Sequence, residues 1–480
     1  MTLLTIPSGN VASALPTGFN VDNSCRFDNG SSAYVYRNQG TPTGNGKKAT
    51  ISVWLKLGKI ASLTAAGTNG IFEIRNAGIN ASFDLYIDGG KLNFGILNAS
   101  GWVGSLIPNM TFRDHSAWYH IVAIYDSAQS TDNQRMKIYV NGKDVRTDHG
   151  GYATETYVSQ DTVSTALAAT SGHIHRWGRY ASNADYFMDG YMAEAVFLDD
   201  EAASIGDLGE FDEDSPTIWK PKDVSGLTFG DEGSYLDFED SSALGNDVSG
   251  NNNDFTSSGL AATDSSIDTP TNNFCTLNRL WAVKGGTPGA GTFSEGNLKF
   301  VGDGDHDCTF GTIGLQNGLW YWEVLLSNDA GAGIQIGVTT TQAMQEMTSG
   351  DSGTCYPNFA GFREEVRLIN WNSEEVADYG SNATNDIYGL LLDLDSGTKT
   401  LKCYHNDTLK GTIDLPTDKG DTWIPYIGDS GSADAEMEMN FGSPPYTVSS
   451  GNADPAGYGN FEFATKSGYA ICTKNLAEYG

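Results

Sequence analysis

The sequence is short of cysteine, of positive charge and of long apolar runs, and each shortage removes a class of function. Six cysteines are spread over 480 residues (Cys25, Cys275, Cys308, Cys355, Cys403, Cys472), with no C-x-x-C pair among them. That spacing is neither a disulfide scaffold nor a zinc site, so free thiols are expected and no bridge serving as an essential staple. Lys and Arg number 28 against 60 Asp and Glu, a formal net charge of −32. A partner held by phosphate contacts needs clustered Lys and Arg, so neither nucleic acid nor an anionic membrane surface is an expected partner. No apolar run approaches the ~20 residues of a membrane span. The opening "MTLLTIPSGNVASALPTG" has neither a basic n-region nor a long apolar stretch, and no signal peptide is expected.

Helical periodicity is almost missing as well. Only "TTQAMQEM" (340–347) and "DEAASIGDL" after Asp199 suggest short helices. Catalytic signatures are equally scarce. No Ser has Gly at both second neighbours, and there is no H-E-x-x-H zinc motif or G-x-x-x-x-G-K-[ST] phosphate loop. "EFDED" (210–214) falls short of the E-x-D-x-x-E carboxylate set of a glucanase strand, because Ser215 stands where the last Glu is needed. His173 and His175 share one strand face, but no third ligand lies near them and Trp177 continues that face. A half-buried polar strand face is the expected reading. No catalytic residue, metal or cofactor is therefore expected, and the chain is read as a non-enzyme.

What the sequence has is strands. "FDLYIDGGKLNFGI" reads as a hairpin, with Leu85 and Ile87 inward, a turn at Asp88-Gly89, and Leu92, Phe94 and Ile96 returning. "WYHIVAIYD" is apolar on both faces, as a central strand should be. In "RMKIYVNGKDV", Met136, Ile138 and Val140 face one way before an Asn141-Gly142 type I′ turn. "ISVWLKL", "AWYHIVAIYD", "MKIYVNGKDV" and "FMDGYMAEAVFLDD", in that order, resemble laminin-G-like domains of the concanavalin A-like superfamily. A second block carries "GLWYWEVLLSN", "YGLLLDLDSGTKTLKCYHNDTLKGTIDL", "TWIPYIGDSG" and "MEMNFGSPPY". It resembles an SPRY domain. The expected fold is all-β: two tandem antiparallel β-sandwiches of jelly-roll type, one concanavalin A-like and one SPRY-like.

The expected organisation is an N-terminal extended arm (1–24), the laminin-G-like sandwich (25–205), and an acidic Asn/Gly-rich connector with a short strand (206–279). The SPRY-like sandwich (280–446) and a C-terminal tail (447–480) complete it. The connector contains "LDFEDSSALGNDVSGNNNDF", whose Asp247, Asn251 and Asp254 miss the ligand spacing of a calcium loop, so a turn-rich solvated linker is expected.

Trp54, Trp118, Trp320, Trp322 and Trp423 sit in apolar strands and read as core. Tyr356, Phe359, Phe362, Trp371 and Tyr379 lie in polar, turn-rich sequence. An aromatic ring there can stack on a sugar or anchor a protein contact, which makes these five the candidate binding residues.

The tandem of modules and the connector resemble structural proteins of tailed bacteriophages. That resemblance implies a virion protein assembled in the host cytoplasm: a tail fibre, a receptor-binding protein or a capsid-attached fibre. Its partners would be a host-surface glycan or protein receptor and neighbouring virion proteins. A homo-oligomer is expected, most simply a trimer, whose repeated copies would add avidity. A secreted bacterial adhesin and a polysaccharide depolymerase are the alternatives.

Overall fold

The computed structural model describes residues 18–480 apart from 60–67, 77, 79, 169–171, 181–185, 282, 285–286, 289–290, 303–306, 330, 332, 347–358, 365, 372–374 and 430–433. The described chain is built of antiparallel strands with a few short helices, as the alternating patterns require. Two compact units share it, one extending to Thr271 and the other formed by Asn272–Gly480.

The first unit is a sandwich of two eight-stranded sheets. One sheet is centred on Trp118–Asp126, Lys48–Leu57 and Gly190–Asp199. The other runs Tyr152–Thr156, Gly101–Pro108, Lys91–Asn98, Ala81–Asp88, Thr68–Asn76, Ile174–Trp177, Tyr34–Asn38, Thr256–Ser258. Alternate residues such as Val53, Phe72, Leu85, Phe94, Ile121 and Ile138 interdigitate between them. The hairpin at 88–91 turns on Gly89-Gly90, one residue later than the sequence suggests, because Asp88 pairs with Lys91 and both glycines have positive φ. Asn141 and Gly142 take positive φ as expected of a type I′ turn.

Residues 206–271 are not a solvated linker. Ser234–Leu236 pairs with Gly190–Asp199, Thr256–Ser258 with Tyr34–Asn38, and Ser265–Ser266 with Ser24–Phe27. Leu208, Val224, Phe229 and Tyr235 pack on Val122, Ile124, Val196 and Leu198, covering the outer face of the first sheet with a further apolar layer. This is why "WYHIVAIYD" is apolar on both faces.

The acidity of this segment also has a structural reason. Three buried cations of the sandwich strands take their carboxylates from it: Lys56 from Asp268 at 2.6 Å, Arg37 from Glu232 at 2.9 Å, and Arg26 from Asp264 at 3.6 Å. A charge inside a sandwich persists only when paired, and here the pairing partner arrives some 200 residues later in the chain.

Asp247 is spent on turn geometry. It accepts from the backbone N–H groups of Tyr235 (2.8 Å), Ser249 (3.0 Å) and Asn253 (2.8 Å) and from the Ser249 hydroxyl (2.8 Å). Asn251 and Asn253 donate to carbonyls of the 230–233 turn. The arm expected at 1–24 is likewise docked where it is described: Val21 packs with Trp54, Trp118 and Tyr191.

The second unit is a sandwich of an eight-stranded and a seven-stranded sheet. Trp320, Trp322, Tyr388, Leu390, Trp423, Met437 and Phe441 fill its core. The expected tail, 447–480, folds onto it. The backbones of Tyr321 and Tyr469 bond at 2.9 Å, and buried Glu323 accepts from the N–H groups of Glu462 and Phe463. Asp454 gathers Ala470 N–H and the Asn475 amide, fixing the approach to the terminal helix Thr473–Tyr479.

Cys25, Cys275, Cys403 and Cys472 are free and buried, whereas Cys308 is disulfide-bonded, against the expectation of six thiols.

Candidate functional site

Three of the five expected binding aromatics point inward. Phe359 stacks on Tyr426 with centroids 4.6 Å apart, Phe362 meets Tyr388 edge-on, and Trp371 meets Trp423 edge-on at 6.1 Å. All three are buried. Phe362, on the strand Ala360–Glu364, and Trp371, just after the strand Arg367–Asn370, belong to the core of the second sandwich, whereas Phe359 packs in a separate apolar cluster with Phe310, Ile369, Ile424 and Tyr426. Tyr379 is exposed, with the Lys410 ammonium 5.8 Å over its ring. Tyr356 lies outside the described residues.

The two histidines are also internal, fully buried rather than on a half-buried face. His175 packs edge-on against Phe72 and Phe197 and accepts from Arg37 at 3.3 Å. Burial and the Arg37 charge push its pKa well below the ordinary value, so it stays neutral. The Ser52–His120 contact, at 2.8 Å, has the wrong tautomer for a nucleophile. Trp219 N–H donates to His120 Nδ1 at 2.9 Å, so the ring proton sits on Nε2 and is given to Ser52 rather than taken from it. Burial lowers this imidazole to about 3. In "EFDED", Asp212 and Glu210 both turn to Lys220.

A different arrangement stands on the outer face of the second sheet of the first sandwich. Strand register aligns one residue from each of its eight strands: Thr156, Ser105, Gly95, Asp84, Glu73, Arg176, Tyr36 and Thr256. The whole row is polar, aromatic or glycine. Its inner neighbours Phe72, Phe83, Leu85, Phe94 and Ile96 are core, so strict alternation places the row outside.

Glu73 receives Arg176 at 3.2 Å and Arg75 at 3.7 Å. Asp84, its cross-strand neighbour, accepts from the Ser82 hydroxyl at 2.6 Å. Burial, and then the charge of Glu73, hold the Asp84 carboxyl well above the usual carboxylate range. Aromatic rings flank the row. Tyr34 and Tyr36 stack at 5.5 Å, Tyr86 and Tyr180 at 4.3 Å, and Trp102 lies on Gly95 while remaining 51% exposed. A Cβ at Gly95 would come within 2.4 Å of the indole, so the ring lies in this place only over a glycine.

The polar phase of these strands was legible in the sequence. Which polar residue faces which was not, because that depends on register between strands far apart in the chain.

Residues 29–202 match the family model Laminin_G_3, described as the concanavalin A-like lectin/glucanases superfamily. No curated protein matches the chain. Among solved structures, the chain is similar to a heptameric SAP-like pentraxin from Limulus polyphemus, at 16% identity over 40% of this chain and 76% of that one, TM-score 0.25. It is similar to the SPRY domain of human HERC1, at 13% identity over 34% of this chain and 96% of that one, TM-score 0.23. It is also similar to the LG1-3 region of the laminin alpha2 chain, at 11% identity over 95% of this chain and 66% of that one, TM-score 0.33.

Proposed function

We propose that this chain is a glycan-binding structural protein of a tailed-phage virion: a tail fibre, a receptor-binding protein or a capsid-attached fibre. The observation that carries glycan binding is the polar row with its flanking rings. Sugars present apolar ring faces to aromatic side chains and hydroxyls to fixed donors and acceptors, and this face offers both. Trp102, Thr156 and Thr256 are exposed there, and Tyr36 and Arg176 are partly so. The phage assignment rests on the tandem of sandwiches and the Asp/Asn-rich segment that completes the first of them, together with an acidity that suits no nucleic-acid partner. The partners in this reading are a host-surface glycan and neighbouring virion proteins, and a homo-oligomer, most simply a trimer, multiplies a weak site into firm attachment.

A glycan array of host-surface polysaccharides tests it. Wild-type protein binds at least one class and competes with virions for adsorption, whereas Trp102→Ala and Tyr36→Ala bind at least tenfold more weakly with unchanged melting temperature. Failure to bind any glycan or to compete at saturation would make head decoration or assembly the better reading.

The chain hydrolyses nothing in this proposal. One observation favours the alternative of a depolymerase: Glu73 and Asp84 are adjacent carboxyls, with Asp84 biased to the protonated form, as an acid and nucleophile pair would be. Both are fully buried, which opposes it. Release of reducing ends, abolished by Glu73→Gln, would decide for cleavage.

A further inference from the structure

A cavity of about 530 Å³ opens on the other sheet of the first sandwich, where residues 202–206 meet its outer face. Its floor is formed by Ile124 and Asp126 on one strand and by Lys137 and Tyr139 on the next, with Lys137 directly opposite Ile124. Gln134 from the connecting turn and Ile205 from the covering segment form walls. The volume falls inside the ~300–1,000 Å³ range of ligand sites.

Two of its polar groups are uncommitted. Lys137 makes no ion pair and the Tyr139 hydroxyl no hydrogen bond among the described residues. Asp126, which also lines the cavity, forms no ion pair with Lys137. It accepts from Gln129 Nε2 at 2.6 Å and Ala128 N–H at 3.2 Å.

We propose that this cavity binds an acidic oligosaccharide through a uronic acid residue, as a second site separate from the polar row. The sugar carboxylate pairs with the Lys137 ammonium. Its hydroxyls bond to the Tyr139 hydroxyl, the Gln134 amide and the free lone pairs of Asp126, and an apolar ring face lies on Ile205. Lys137 is the one cation among the lining residues, and the nearby Arg135 and Lys222 donate to the carbonyls of Gln129 and Gly206. This suits a monoanionic carboxylate better than a phosphate dianion, which favours several donors. The acidity of the chain does not prevent this, since charges beyond about 8 Å are screened at physiological salt. The site exists only because residues 202–206 lie against the sheet.

Titration calorimetry of the full chain with oligomers of glucuronate, galacturonate and mannuronate tests the proposal, with their methyl esters as uncharged controls. At least one acid binds, its ester binds at least tenfold more weakly, and Lys137→Gln loses the difference while Tyr139→Phe weakens binding severalfold. Trp102→Ala, on the opposite sheet, leaves this binding unchanged, so failure here and failure of the polar row are distinguishable. Equal affinity for acid and ester, full affinity in Lys137→Gln, or no binding of any of the three acids at millimolar concentration each overturns the proposal. Lys137→Arg, which keeps charge and stem, shows by retained binding that loss in the Gln variant is electrostatic and not a folding defect.

Discussion

At the scale of single residues, environment overrides residue type. Trp371 looks like a surface anchor in sequence, yet its ring lies against Trp423. Trp371→Ala is therefore expected to cost about 3–5 kcal/mol of stability, the usual penalty for emptying an aromatic core site. Exposed Tyr379→Ala should change stability by less than about 0.5 kcal/mol. Paired denaturant titrations would separate these outcomes, and equal small effects would contradict the burial of Trp371.

Glu194 gives a pH-dependent case. It sits at positive φ in the bulge of Gly190–Asp199, is buried, and accepts from the Tyr235 hydroxyl at 2.6 Å. Burial raises its carboxyl from 4.5 to about 7. The folded state then holds a proton that the unfolded chain has released, so stability is greatest below about pH 4.5 and falls as pH rises towards 7. Glu194→Gln should remove that fall, improving stability relative to wild type by about 3 kcal/mol more at pH 8 than at pH 4. A pH-independent difference between the two proteins would refute it. The buried thiols of Cys25, Cys275, Cys403 and Cys472, the last pushed up by burial to about 12, should ignore Ellman's reagent at pH 8 until the chain is unfolded.

At the scale of elements, turns carry more than reversal. Asn141-Gly142 closes a hairpin, and the Asn141 side chain also accepts from His120 N–H at 2.8 Å. Gly142 has φ +74, and a Cβ there would lie 2.2 Å from the Trp219 ring. Gly142→Ala combines backbone strain with displacement of Trp219, which bonds His120. A loss of about 2 kcal/mol or more and a red-shifted tryptophan emission are expected. Gly150→Ala has φ +79 and nothing within 4 Å, so it should show the strain alone, at roughly 1 kcal/mol, with no emission change. Identical spectra for the two variants would mean that Trp219 does not pack on the hairpin.

At the scale of the whole molecule, residues 206–271 complete the first sandwich. They cover its outer sheet face and neutralise Arg26, Arg37 and Lys56. Asp268→Ala leaves the Lys56 ammonium buried without its carboxylate, at an expected cost of about 3–5 kcal/mol. A fragment ending at 205 should be insoluble or molten, whereas one ending at 271 should unfold cooperatively. Cooperative unfolding of the shorter fragment, followed by circular dichroism, would return 206–271 to the status of a linker.

The sequence by itself determined the all-β class, the main strands and their core-facing residues, because period-two alternation and Asn-Gly turns are local and depend on the backbone alone. It also placed two of the short helices, at 341–346 and 205–208, but not the terminal one at 473–479. It could not say which segment covers a strand that is apolar on both faces, since the covering residues 206–271 lie far along the chain from that strand. Glu73 beside Asp84, Asp268 beside Lys56 and Lys137 beside an open cavity were all decided by register and by chain segments returning from far away. Alternation fixes which way a side chain points. Only the tertiary structure fixes what it meets there.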